Sequence, residues 1–105
     1  MATGRLAAQD MSAATLTTVY DTPAATYTVA TVSICNRGAA ASNISLAIAD
    51  AATPAAGEYI EYETNLLAKN VLERTGVVLS ATQKIVVLSS AASVSVVVVG
   101  IETAA

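Results

Sequence analysis

This sequence predicts an all-β chain: a single β-sandwich, of jelly-roll or immunoglobulin-like Greek-key type, with seven or eight short strands and a flexible N-terminal arm. Three observations predict it. Short β-branched runs recur at roughly ten-residue spacing, Pro, Gly, Asn and Ser separate them, and one run alternates cleanly between apolar and polar residues. A chain of 105 residues has room for one core. That core must be filled by Val, Ile, Leu, Ala and Tyr, because Phe and Trp are absent.

Residues 1–14 (MATGRLAAQDMSAA) hold small residues with Leu6 and Met11 as isolated apolar anchors and show no strand alternation. They read as an arm, unstructured or ordered by a partner, with a short helix as the alternative. The sandwich domain is expected over 15–105. Thr15 to Tyr20 forms the first strand, stopped at Asp21-Thr22-Pro23, where proline removes a donor. In Ala25 to Asn36 the apolar positions change phase between Val29 and Val32, which predicts a bulge or a strand buried on both sides. Asn36-Arg37-Gly38 supplies the next turn. Asn43 to Asp50 places Ile44, Leu46 and Ile48 on one face and Asn43, Ser45 and Ala47 on the other.

Ala51 to Gly57 reads as a loop and Glu58 to Glu63 as a strand. Thr64 to Lys69 is expected to connect, and its adjacent Leu66 and Leu67 need cover from the core or from another chain. Asn70 to Thr75 and Val77 to Ser80 flank Gly76, which predicts a bulge or a close backbone approach. Ile85 to Ser89 and Val94 to Ile101 complete the series. In the last run Val94, Val96 and Val98 share one face, while Val97, Val99 and Ile101 take the other. Apolar residues on both faces predict a central strand or one covered by another subunit, since an exposed valine-rich edge invites aggregation.

Composition narrows the function. A net charge of −3, with Arg5, Arg37, Lys69, Arg74 and Lys84 scattered, argues against nucleic acid, which needs clustered cations. No apolar run reaches the ~18 residues of a spanning helix, and no apolar h-region marks a secretory signal, so neither a membrane nor export is expected. The lone Cys35 cannot make an internal disulfide and reads as a small buried hydrophobe. Without histidine no serine or thiol has its usual general base, and the five glycines form no phosphate-cradling loop. No enzyme activity, cofactor or metal is expected.

The densest ionisable set is Glu58, Glu61 and Glu63, interleaved with Tyr59 and Tyr62. Strand alternation places Glu61 and Glu63 with Tyr59 on one face. A calcium site would need about six oxygen ligands, and the neighbouring loops add only Asp50 and Asn65. A solvated strand face or an intersubunit pairing is the expected reading, and Arg74 is positioned to meet Glu61 or Glu63 across the sheet or between chains. Tyr20, Tyr27, Tyr59 and Tyr62 are also candidates for stacking on sugars, against the usual role of strand tyrosines as core fillers.

The stretch Thr18 to Glu102 resembles small β-rich virion proteins of tailed bacteriophages, especially cyanophages. The resemblance rests on AATYTVATVSICNRG (Ala24 to Gly38), IADAATPAAGEYIEYE (Ile48 to Glu63), VLERTGVVLS (Val71 to Ser80) and SVSVVVVGIE (Ser93 to Glu102). It departs at Leu67-Ala68-Lys69-Asn70, where a glycine-containing turn is common, and at Val99, where an aromatic or basic residue often stands. The resemblance implies a virion component made in the host cytoplasm: a capsid decoration (cement) protein, or else a tail or head-fibre module binding host glycans. Implied partners are the major capsid protein, other virion proteins and further copies of the chain in a symmetric homo-oligomer. Candidate interface residues are Leu6, Met11, Leu66, Leu67, Val97, Val99 and Ile101.

Overall fold

Eight strands build the molecule: β1 (Thr3–Asp10), β2 (Thr17–Asp21), β3 (Thr26–Asn36), β4 (Ser42–Ala49), β5 (Tyr59–Leu66), β6 (Val71–Leu79), β7 (Lys84–Ser89) and β8 (Val94–Ala104). A short 3-10 turn, Ala56–Glu58, precedes β5. The structure, a computed structural model, describes residues 2–105, so Met1 of the expected arm lies outside the described residues.

The strands form two four-stranded sheets, in the orders β1-β8-β3-β6 and β2-β7-β4-β5. The pairing has a simple rule. β4 pairs with β5, β3 with β6, β2 with β7 and β1 with β8, all antiparallel, so the first four strands run back along the last four as one long hairpin. Rolling that hairpin up brings β8 against β3 and β7 against β4. This is the jelly roll, the first of the two expected sandwich types.

Sheet side chains alternate, and the inward set is almost all aliphatic. Val32, Ile34, Val94, Val96 and Val98 from one sheet meet Ile44, Leu46, Ile85 and Val87 from the other, every one of them at 0% exposure. Each such side chain removed from water stabilises the fold by about 1.5–3 kcal/mol before entropy is counted. The predicted faces of β4 and β8 hold: Ile44 and Leu46 are inside with Ile48 packed against them, and β8 is a central strand with its even-numbered valines in the core.

Two expectations give way. Residues 3–10, expected as part of an arm, pair with β8 as an edge strand. Their alternation is invisible in the sequence because Leu6 is an extra residue: Arg5 and Ala7 face consecutive β8 residues, Val99 and Val98, and Gly4 adopts φ +106° beside it. Leu6 and Ala7 thereby pack on the core. In β3 no bulge occurs. The strand alternates throughout, with Thr26, Thr28 and Ala30 inside and Tyr27 and Val29 outside, so its first apolar residues face outward.

Bulges lie instead on the sheet edges. The added residues fall in β1, in β2 near Val19, in β6 at the Thr75-Gly76 step, and twice in β5, while the central pairs β3/β8 and β4/β7 keep an unbroken register. The bulge foreseen at Gly76 is present, with φ +67°. Bulged edges twist their free N–H and C=O groups out of line and so resist strand addition by another chain.

Two residues hold the scaffold where side chains must fit backbone. A Cβ placed on Gly100 would lie 2.2 Å from the Val29 carbonyl oxygen and 2.8 Å from the Ala30 Cα, so only glycine lets β8 sit this close to β3. Asn36, fully buried at the end of β3, donates to the Ala40 and Leu66 carbonyls at 2.9 and 3.1 Å and accepts from the Gly38 N–H at 3.0 Å. One amide thus ties the β3–β4 loop to the end of β5. Gly100→Ala is expected to lower unfolding stability by about 1–3 kcal/mol through overpacking, read by urea denaturation with far-UV circular dichroism. Asn36→Ala should cost about 1–3 kcal/mol by removing the donor to the buried Leu66 carbonyl, whereas Asn43→Ala, on the exposed side of β4, should change stability by less than about 0.5 kcal/mol.

Candidate functional site

The outer face of the β1-β8-β3-β6 sheet carries Tyr27, Val29, Val71, Val78, Val99 and Ile101, most of the exposed large hydrophobic side chains among the described residues. Register across the sheet sets Thr3, Ile101, Val29 and Val78 in one row over all four strands. The next row holds Arg5, Val99 and Thr31. Val78 is 61% exposed, Ile101 54% and Val29 45%, with Tyr27 beside them at 41%. Large aliphatic groups adjacent on one sheet face form a contiguous apolar patch, and such patches mark contact sites.

Of the residues proposed from sequence, Val97, Val99 and Ile101 belong to this outer face, with Val97 half-buried among its neighbours. Met11 and Leu66 do not. Both are core residues, at 3% and 6% exposure, and Leu6 is packed on the same core. Leu66 ends β5 as an inward-facing strand residue, so the expected connection begins only at Leu67. Leu67 is exposed at 55% in the turn before β6, remote in kind from the sheet face. Cys35, expected to be buried, is half-buried. Sequence reasoning missed Val29 and Val78, whose β-branched character reads equally as core until the register is known.

A second feature lies on β5. Tyr59 and Tyr62 meet edge to face with ring centroids 5.1 Å apart and, with Pro54 and Ala56, line a cleft of about 550 Å³. Strict alternation would put residues three apart on opposite faces. The extra residue between Tyr59 and Glu61 realigns them, and a second irregularity follows at Glu63, with φ +48°. The same irregularity separates Glu61 from Glu63. Glu61 points inward across the open side of the sandwich and pairs with Arg74 of β6, on the other sheet, while Thr64 donates to it at 2.7 Å. The carboxylates therefore do not converge, and among the described residues no group of three or more His, Cys, Asp or Glu gathers as a metal would need.

Tyr20 is the core tyrosine. From β2 its hydroxyl crosses to the opposite sheet, donating to the Glu102 carboxylate and lying 2.9 Å from the Thr28 hydroxyl. Burial, and then the hydrogen bond to Glu102, pushes the phenol up to about 12. The bond from Tyr20, with a second from the Ala2 N–H, holds the Glu102 carboxyl below its ordinary value. Tyr20–Glu102 and Arg74–Glu61 thus clasp the two sheets toward opposite sides of the sandwich.

The pH dependence has a definite sign. An unfolded chain loses the Tyr20 proton near pH 10.0 and the folded chain keeps it to about 12, so the stabilisation is complete below pH 10.0 and is lost as pH rises across that window. Tyr20→Phe should flatten the alkaline fall in unfolding free energy, followed by circular dichroism. At the acid end the Glu102 contribution is present above the ordinary carboxylate range and disappears as pH falls through its lowered value. Glu102→Gln should remove that part of the acid dependence. Comparison of the chain with protein families, with curated proteins and with solved structures found no match in any of the three.

Proposed function

We propose that this chain is a structural protein of a tailed-phage virion, a capsid decoration protein that binds the head shell and stabilises it. The observation that carries the reading is the apolar outer face of the β1-β8-β3-β6 sheet, centred on Val29, Val78 and Ile101, which is suited to burial in an assembly. Three further features support it: the jelly-roll fold, the resemblance of Thr18 to Glu102 to phage virion proteins, and the separation of Glu61 from Glu63.

The mechanism is mechanical. A packaged genome strains the shell, and each bound clamp adds interface free energy that must be lost before capsomers separate. Standard interfaces bury roughly 1,200–2,000 Å², and many symmetric copies multiply the effect. Bulged edges suit such a part, because they keep the protein from growing strand by strand in place of docking at discrete sites.

A second reading has its own observation. The Tyr59–Tyr62 cleft presents Tyr62 at 66% exposure beside Pro54, an aromatic platform of the kind that stacks on sugar rings, which fits a tail or head-fibre module recognising host glycans.

Mixing purified protein with phage heads that lack it should give saturable binding at hundreds of copies per particle, roughly one per shell subunit or per capsomer axis, and a higher temperature of genome release. Absence of binding to heads overturns the decoration reading. Binding to a glycan array that is lost in Tyr62→Ala, together with a few dozen copies or fewer per particle, supports the fibre reading instead.

A further inference from the structure

The geometry points to a second copy of this chain as the occupant of the apolar sheet face, in a two-fold, face-to-face dimer whose rim is closed by Arg5 of each copy pairing with Glu73 of the other. The inference rests on the reading that this face is buried in an assembly, and it does not require that the assembly be a virion.

Three observations carry it. First, the face carries Val29, Val99 and Ile101 on its two central strands and one free charge of opposite sign on each edge. Arg5 stands on edge strand β1 beside Val99, and Glu73 stands on edge strand β6 opposite Ser33. The ion pairs among the described residues are Arg37–Asp10, Arg74–Glu61 and Lys84–Asp21, so neither Arg5 nor Glu73 is used within the chain.

Second, the strand order makes these charges self-complementary. A two-fold axis parallel to the strands lays β1 of one copy over β6 of its partner and β8 over β3. Arg5 lies in the row of Val99 and Thr31, and Glu73 in the row of Ser33 and Val97, two residues along the strands. That step is about 7 Å, within the reach of an arginine side chain between sheets about 10 Å apart. The two charge pairs form together, one at each edge, around Val29, Val99 and Ile101.

Third, area and edge chemistry agree. Strands of 8 to 11 residues, four abreast at about 4.8 Å, give a footprint of roughly 600 Å² per copy, or about 1,200 Å² in all, the lower limit of a specific interface. Association through strand edges is disfavoured, because all four edge strands are bulged.

Sedimentation equilibrium of the full chain tests the pairing. The wild type is expected to show a monomer–dimer equilibrium, and Val29→Glu, a surface change, should leave only monomer. Arg5→Glu and Glu73→Arg should each weaken the dimer by about tenfold or more by opposing like charges. The double variant Arg5→Glu/Glu73→Arg should return to within about threefold of wild type, because the swap restores both pairs. A wild type that stays monomeric over the whole concentration range overturns the inference, as does a double variant weaker than both single ones. Head binding by a monomeric protein, abolished by Val29→Glu, would assign the face to the shell and overturn the dimer alone. A dimer that ignores phage heads would overturn the decoration reading and leave the dimer standing.

Discussion

The structure depends on one layer of β-branched side chains held between the central strand pairs β3/β8 and β4/β7. With no Phe or Trp to span the gap between sheets, packing density has to come from many medium-sized groups seated close together. Close seating explains the rest. It requires an unbroken register in the two central pairs, and it requires glycine at position 100, where the β8 backbone approaches Val29 and Ala30. It also explains why irregularity is pushed outward, so that every extra residue falls in an edge strand.

Aliphatic packing is non-directional and does not by itself fix how one sheet sits on the other. Directional contacts do that here. Tyr20 crosses to Glu102 and Thr28, Arg74 crosses to Glu61, and Asn36 ties a loop to the end of β5. Each takes a strongly polar group toward or into the interior and satisfies it across the gap, where loss of one partner would strand the other. The Arg37–Asp10 pair differs: both side chains are well exposed, and such a pair contributes under ~1 kcal/mol.

The apolar outer face follows from the same composition. A chain that is 54% hydrophobic in 105 residues has more aliphatic side chains than one small interlayer can hold, and the surplus appears on the outside of one sheet as Val29, Val78, Val99 and Ile101. Its placement matters more than its amount. Collected on one face, flanked by the unused charges of Arg5 and Glu73, the surplus forms a single surface suited to association. The polar side of β5, with its tyrosine cleft and dispersed carboxylates, offers a different chemistry on the other sheet.

Much of the fold was legible in the residues themselves. Period-two patterning marked β4 and the inward valines of β8, Pro23 and Gly38 marked turns, and Gly76 marked a bulge, because each of these signals is local and acts through φ, ψ or the pleat. What local signals could not carry was pairing. β1 is a strand because β8 offers it a ladder, and its bulge at Leu6 hides the alternation. Tyr59 meets Tyr62 because an extra residue realigns β5. Met11 and Leu66 turn inward while Val29 and Val78 turn outward, although all four are equally apolar. The sequence alone determined that this chain would be a strand-rich sandwich with an aliphatic core. Only the tertiary structure decided which apolar residues form that core and which form the outer patch, since a sheet's two faces become different only when one of them is covered.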